Sequence, residues 1–237
     1  MSQPTVLVTG STRGIGAAST AALTARGWRV IGHGRKDADG VIGADFAQPG
    51  AAAVLWDAAL EMSGGRIDAV VNNAGLFAAN PLDASDFAWL DGWEETLRIN
   101  LTAAAELSRM AVRHWLAQNS GGRLVHVASR AGYRGDSPAH WHYAAAKGGM
   151  IAMHKTIARG YAAQGILSYA ICPGFTDTAM ADDYLASRGG AALLADIPLG
   201  RVAEPEEIAA IVAFCTLDAP PSMTGTVIDA NGASYVR

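Results

Sequence analysis

The chain has 237 residues, of which half are hydrophobic and 17% are charged, and its formal net charge at pH 7 is -4. This composition favours a folded α/β protein over a disordered or fibrous chain, and the weak negative charge disfavours nucleic acid as a partner. We expect a cytoplasmic protein, because no signal segment precedes the first strand and no apolar run approaches about 18 residues. Cys172 and Cys215 lack metal-type spacing, which indicates two buried thiols in a reducing compartment.

The first half of the sequence alternates between strand-like and helix-like segments. Short apolar, β-branched runs ending in glycine or polar residues predict buried parallel strands, and longer alanine-rich segments predict helices. The predicted strands lie at 5–9, 28–33, 41–44 and 67–72, and the predicted helices at 14–26 and about 49–62.

The second half continues the alternation. Strands are predicted at 123–128, 166–172 and 226–229, and helices at roughly 93–118, 143–163 and about 204–217. No linker or repeat divides the chain. The order of elements predicts one domain over residues 1–237, built as a doubly wound parallel sheet of Rossmann-like type with helices on both faces.

Polar and glycine-rich residues follow the predicted strands at their carboxyl ends. Gly10, Asn72, Ser129 and the pair Pro173-Gly174 each stand at such an end. Because ligands of open α/β sheets bind beyond the carboxyl ends of the strands, these residues predict the position of a ligand site.

A glycine-rich turn between the first strand and the first helix is typical of a phosphate site. Glycines let backbone amides approach a phosphate, and the start of a helix favours negative charge. The alternative is a tight turn with no ligand. The segment is Gly10-Ser11-Thr12-Arg13-Gly14-Ile15-Gly16, with its glycines spaced Gly-x-x-x-Gly-x-Gly.

Tyr143 and Lys147 are four residues apart, which places them on one face of a helix. A tyrosine with an ordinary pKa near 10 is a poor acid–base group at neutral pH. A fixed positive charge beside it favours the phenolate, so the spacing predicts that Lys147 lowers the pKa of Tyr143.

These features together resemble the short-chain dehydrogenase/reductase family, over nearly the whole chain. The family-like set is Thr9-Gly10-x-x-x-Gly14-x-Gly16, Asn72-Asn73-Ala74-Gly75, Asn100, Ser129, Tyr143-x-x-x-Lys147 and Pro173-Gly174. The match is closest to the branch of about 250 residues that includes ketoacyl reductases and many alcohol dehydrogenases.

The resemblance implies four catalytic residues. Tyr143 would donate the proton in carbonyl reduction and accept it in alcohol oxidation, while Lys147 would also hold the nicotinamide ribose. Ser129 would bind the substrate oxygen, and Asn100 would support a water-linked proton path to Lys147.

The charges after the second strand predict NADP(H), with NAD(H) less favoured. The position where NAD enzymes place a carboxylate falls at Gly34, with Arg35 next to it and Arg13 in the glycine turn as a second cation. Only nine residues separate Arg35 from Asp45, so we expect an adenine side more open than the family's.

Further cofactor contacts are implied by the resemblance. Asp45 would bind the adenine amino group, and Thr176 and Thr178 would contact the nicotinamide carboxamide. The remaining implied cofactor residues are Asn73, Ala74, Gly75, Tyr143, Lys147, Pro173 and Gly174.

Two segments are candidates for the substrate side. Residues 179–200, which contain Met180 and Tyr184, are read as a substrate lid or as an ordinary surface helical hairpin. The segment His140-Trp141-His142 is expected to contribute to the substrate pocket, with Trp141 as readily a core residue or a subunit contact. No metal site is expected, because no Cys, Asp or Glu stands at metal-like spacing beside these histidines.

The leading functional hypothesis is an NADP-dependent reductase of a ketone or aldehyde, which could also act in reverse as an alcohol dehydrogenase. A 3-ketoacyl thioester reductase of fatty-acid or polyketide type is the first alternative, and a non-catalytic cofactor-sensing protein is the second. The alanine-rich helices at 93–118 and 143–163 suit contact with a second copy. A homodimer or homotetramer, usual in the family, is therefore expected.

Overall fold

A computed structural model describes residues 3–177 and 194–237. Within these residues the centre is a sheet of seven strands, paired in parallel in the order β3-β2-β1-β4-β5-β6-β7. In chain order the strands are Thr5–Val8 (β1), Arg29–Gly34 (β2), Val41–Gly43 (β3), Ala69–Asn72 (β4), Gly122–Val127 (β5), Ile166–Pro173 (β6) and Val227–Ala230 (β7).

Helices cover both faces of this sheet. The α-helices of the described residues are Gly14–Ala25 (α1), Ala51–Ser63 (α2), Asp86–Leu97 (α3), Ala103–Ala117 (α4), Ala131–Arg134 (α5), Trp141–Tyr161 (α6) and Pro205–Ala213 (α7). Single π-helical turns follow α3 at Arg98–Thr102 and α7 at Phe214–Asp218, and 3₁₀ turns lie at Ala162–Gln164 and Pro221–Met223. The predicted α/β class and parallel doubly wound sheet are confirmed.

The central strands are mostly apolar, because they are buried on both faces. Every residue of β1, β4 and β6 is buried, as expected for parallel strands beneath two helical layers. On one face Trp56 of α2 and Trp115 of α4 belong to the core, and on the other Leu23 of α1 packs with Ile208 of α7.

One predicted helix, at 93–118, differs from the structure. Helix formation starts at Asp86, because the Ser85 side chain accepts a hydrogen bond from the backbone N–H of Ala88 and caps the helix. The helix is then interrupted by the π turn at Arg98–Thr102, which contains the buried Asn100. Such turns are common at functional sites.

Two further expectations are tested by the described residues. The thiols of Cys172 and Cys215 are both buried and free, as predicted. In the described part of the chain, no helix combines the length and the apolar character needed to cross a bilayer.

Candidate active site

A cleft of about 980 Å³ opens along the carboxyl edge of the sheet, above β1, β2, β4, β5 and β6. This volume is within the range of small-molecule sites. Most of the predicted site residues line it: Gly10, Thr12, Arg13, Gly14, Ile15, Gly16, Arg35, Asp45, Asn73, Ala74, Gly75, Ser129, Tyr143, Lys147, Pro173, Gly174 and Thr176. Thr178, Met180 and Tyr184 lie outside the described residues.

The glycine turn brings its backbone to the cleft surface. Gly10 has φ +64°, in the left-handed region, and a Cβ there would lie 2.9 Å from Cα of Ala74. A Cβ on Gly16 would overlap the carbonyl oxygen of Gly10. Because the Arg13 side chain does not cap α1, the free N–H groups at the start of α1 are available to an anion.

The turn is fastened to the segment after β4 through Thr9 and Asn73. The Thr9 hydroxyl accepts hydrogen bonds from the N–H groups of Asn73 (2.9 Å) and Ala74 (3.0 Å) and donates to the Val71 carbonyl. In return, Nδ2 of Asn73 donates to the carbonyl oxygens of Thr9 (2.9 Å) and Gly10 (3.1 Å). Through these bonds Asn73 helps to shape the cradle, which consists of the glycine turn and the segments after β3 and β4 that line the cleft.

The position of Ser11 in the glycine turn predicts a contact with the cofactor, but its side chain binds the backbone of β2 instead. Its hydroxyl donates to the carbonyl oxygen of His33 and accepts from the N–H of the same residue, at 3.2 and 3.0 Å. The side chain therefore joins the turn to β2, and it is absent from the lining of the cleft.

Three cationic side chains lie near the carboxyl end of β2, where the adenosine half of a dinucleotide would lie. Arg13, Arg35 and Lys36 all line the cleft with exposed side chains. The carboxylate nearest to Arg35 and Lys36 in the sequence is that of Asp37. Its Oδ1 accepts a hydrogen bond from the N–H of Gly43 at 2.7 Å. The short connection between β2 and β3 contains no helix.

Tyr143 is half-buried in the wall of the cleft, and loss of solvent around its hydroxyl raises the pKa of the phenol to about 12. The hydrogen bond with Ser129 opposes that rise, and the negative charge of Asp136 adds to it. The net shift in the pKa of Tyr143 is therefore upward, opposite to the predicted direction, because desolvation outweighs the nearby positive charge. At neutral pH the phenol keeps its proton, which is the state that a proton donor requires.

Lys147 lies beneath Tyr143 on the next turn of α6. Its side chain is 3% exposed, Nζ donates to the carbonyl oxygen of Val127 at 2.9 Å, and Nζ is 5.8 Å from the centre of the Tyr143 ring. Burial lowers the pKa of the ammonium to about 8. Lys147 is thus held in place by β5 and remains mostly charged at neutral pH.

Asn100 is fully buried, and its side chain binds backbone. Oδ1 accepts from the N–H of Leu76 and Nδ2 donates to its carbonyl oxygen, both at 2.8 Å. A Cβ on Gly75 would lie 2.8 Å from Oδ1 of Asn100 and 3.7 Å from Nζ of Lys147. Asn100 therefore lies near Lys147, while its side-chain amide fixes the segment after β4.

One aromatic side chain beside Tyr143, that of Phe77, lines the cleft, whereas the predicted pocket segment His140-Trp141-His142 does not. Phe77 lines the cleft, its ring stacks on His140 at 4.0 Å between centroids, and its plane meets the Tyr143 ring edge-on at 4.8 Å. The Trp141 side chain is 52% exposed and lies edge-on to Trp89 at 6.4 Å, so the core alternative for Trp141 is wrong. Among residues 3–177 and 194–237, no group of three or more His, Cys, Asp or Glu side chains is placed to hold a metal.

Some residues that line the cleft were not predicted from the sequence. Several directly adjoin predicted ones: Phe46 follows Asp45, Arg130 follows Ser129, and Phe175 follows Gly174. The Arg130 guanidinium lies 4.8 Å from the centre of the Phe175 ring and 3.8 Å from the Asp196 carboxylate. The position of these three residues next to a predicted one could have identified them from the sequence. The others are His33, Lys36, Ala44, Leu76, Phe77, Ile99, Val127, Ala128 and Asp136, with Gly34 noted only as the position where a carboxylate is missing.

Comparison with known proteins extends along almost the whole chain. A protein-family model described as enoyl-(acyl carrier protein) reductase matches residues 10–232. The 3-oxoacyl-(acyl-carrier-protein) reductase FabG of Salmonella typhimurium is 34% identical, over 97% of this chain and 96% of the relative. An acetoacetyl-CoA reductase of Shinella zoogloeoides is 35% identical, over 97% of each chain. A 3beta-hydroxysteroid dehydrogenase 1 of Eggerthella lenta is 32% identical, over 96% of this chain and 92% of the relative.

Proposed function

Since the chain belongs to the short-chain dehydrogenase/reductase family and is an oxidoreductase, we propose that it transfers a hydride between NADP(H) and a carbonyl or secondary-alcohol substrate. The observation that carries this proposal is that Ser129, Tyr143 and Lys147 line the same cleft as the glycine turn. The cofactor and the reacting group of the substrate would therefore both bind in this cleft.

The roles of the three residues follow from their surroundings. Ser129 and Tyr143 are joined by a side-chain hydrogen bond, so a substrate oxygen placed between them would receive two hydrogen bonds. During reduction Tyr143 gives its proton to that oxygen, and the chemistry that a bound NADPH would supply is the hydride for the carbonyl carbon. The Lys147 ammonium stabilises the phenolate that remains.

The cradle fits a dinucleotide, and its charges favour NADP(H). Gly10 and Gly16 are places where a Cβ would fill the space that lets the turn approach a phosphate. Arg13, Arg35 and Lys36 suit the 2′-phosphate, while the Asp37 carboxylate is held by Gly43. We predict a lower KM for NADPH than for NADH. A clear preference for NADH in steady-state assays would contradict this assignment.

Tyr143→Phe tests the catalytic part of the proposal. The variant keeps the aromatic contact with Phe77 and loses only the hydroxyl, so it should fold and bind NADPH. Carbonyl reduction should fall by about 100-fold or more, because proton transfer is lost. Thr216→Val serves as a matched control, because it removes a buried hydroxyl that donates only to the Val212 carbonyl and does not line the cleft. Near-wild-type turnover of Tyr143→Phe would refute the role of Tyr143.

A 3-ketoacyl thioester is the second candidate substrate. Relatives described as 3-oxoacyl-(acyl-carrier-protein) reductase and acetoacetyl-CoA reductase support it, whereas the hydroxysteroid relative supports a broader range. Acetoacetyl-CoA compared with simple ketones and steroid ketones, at equal NADPH, separates these classes. A cofactor-sensing role is disfavoured by the intact Ser129, Tyr143 and Lys147.

Assembly and location stay predictions. A homodimer or homotetramer, as expected from the family, can be tested by sedimentation of the purified chain. The cytoplasmic location predicted from the sequence can be tested by cell fractionation.

A further inference from the structure

His33 is a buried histidine at the end of β2, between two parts of the cofactor cradle. Its side chain is 3% exposed, and its ring stacks on Phe46 with 4.2 Å between centroids and 19° between planes. Both rings line the cleft. The residue takes no part in the hydride-transfer chemistry.

Both ring nitrogens of His33 are bound to backbone. The N–H of Gly10 donates to Nδ1 at 3.1 Å, and Nε2 lies 2.8 Å from the carbonyl oxygen of Ala44. A carbonyl only accepts and an N–H only donates, so Nε2 carries the proton and Nδ1 does not. This pair of bonds requires the neutral ring.

The two partners belong to separate segments of the cradle. Gly10 begins the glycine turn after β1, and Ala44 immediately precedes Asp45 after β3. The imidazole therefore connects the phosphate side of the cleft to the adenine side. The connection between β2 and β3 is short here, so no intervening helix can perform this task.

We propose that His33 is a positioning residue for the cofactor: its neutral ring holds the Gly10 turn and the Ala44–Asp45 segment at the spacing that the adenosine phosphate half requires, and protonation of the ring weakens cofactor binding. The inference rests on the proposed use of NADP(H). A protonated ring would turn a second N–H toward the N–H of Gly10, and the shared hydrogen bond would be lost.

Several charges face this region, and they set the background for a pH measurement. Asp45 lies close enough to favour the charged ring, while Arg13, Arg35 and Lys36 line the same cleft from α1 and the turn after β2. Burial has the larger effect and lowers the pKa of His33 below its ordinary value of 6.5. The neutral ring therefore prevails at pH 7, and any charging occurs in the acid range.

Two matched substitutions separate the two hydrogen bonds. In H33N the amide oxygen can take the place of Nδ1 toward Gly10, and in H33Q the amide nitrogen can take the place of Nε2 toward Ala44. Neither side chain titrates. H33F keeps the stacking on Phe46 and loses both bonds, so its affinity for NADPH should fall about fivefold or more at about pH 8. H33N should recover most of that loss.

The decisive measurement is the dissociation constant for NADPH, followed by cofactor fluorescence on the full chain between about pH 5 and 8. The ratio of wild-type to H33N dissociation constants should rise as the pH falls through the acid range, because only the wild type carries a ring that can be charged. The two proteins share every other ionisable group, so a difference between their profiles reports the His33 ring. Urea unfolding of each variant at about pH 8 checks that the fold is retained.

Three outcomes would overturn this role. They are parallel pH profiles for wild type and H33N, tighter binding by the wild type in acid because of the added positive charge, and unchanged affinity in H33F. Failure of the proposed function is distinct: the wild type would bind NADPH with the expected profile and reduce no carbonyl. A wild type that bound no NADPH at any pH would contradict both.

Discussion

Acidification should destabilise the fold through two histidines buried beneath the site, His126 on β5 and His154 on α6. Both side chains have 0% exposure, and their rings are 6.0 Å apart. His154 is bound at both nitrogens, to the Ser168 hydroxyl at 2.9 Å and the Gly225 carbonyl at 3.2 Å. Burial lowers the pKa of His126 to about 3 and that of His154 to about 4, from an ordinary 6.5.

The sign and size of the effect follow from these pKa values. Below pH 6.5 the unfolded chain binds a proton at each histidine while the folded chain does not, so the free energy of unfolding decreases as the pH falls. Each histidine lowers the free energy of unfolding by roughly 1.4 kcal/mol per pH unit, which amounts to about 2.5 kcal/mol between about pH 7 and 4.5. The two histidines together lower it by about 5 kcal/mol. The total free energy of unfolding of a domain of this kind is about 5–15 kcal/mol.

Urea unfolding of wild type, His126→Asn and His154→Asn at these two pH values measures the effect. Each variant should lose about 2.5 kcal/mol less than the wild type on acidification, whatever its stability at neutral pH. The remaining ionisable groups are common to the three proteins, so the difference in loss reports the substituted histidine together with its interaction with the other one. If the loss is the same in all three, the argument from burial is refuted.

Two further predictions concern the cradle and the thiols. Gly16→Ala should lower the affinity for NADPH by about 100-fold or more, because the new methyl group overlaps the Gly10 carbonyl; fluorescence titration measures this, and wild-type affinity would contradict it. Cys172 and Cys215, with pKa values raised by burial to about 11 and 12, should resist a thiol reagent such as DTNB in the native protein and react after unfolding in urea; two rapidly reacting thiols in the native protein would contradict their burial.

The sequence predicted the parts of the site that depend on the order of elements along the chain. The carboxyl ends of parallel strands meet at one edge, so Gly10, Ser129 and Gly174 could be placed together before any distance was known. Helical spacing likewise predicted that Tyr143 and Lys147 share a face of one helix.

Features that depend on packing between distant segments were not predicted. The His33 ring meets Gly10 and Ala44 across the sheet edge, and no local pattern encodes this contact. The pKa of Tyr143 was predicted in the wrong direction, because spacing shows the nearby charge but not the loss of solvent. The π turn around Asn100 also has no signal in hydrophobic periodicity.

The Thr9 hydroxyl also bears on the order in which the protein matures. Its partners at Val71, Asn73 and Ala74 are more than 60 residues away in the chain, so the glycine turn cannot take its binding shape until β4 has paired with β1. Closing a loop of this length costs chain entropy that no local contact offsets. A nascent chain that ends before β4 should therefore have no affinity for the nucleotide, and the cofactor can stabilise only a chain that has already closed this loop.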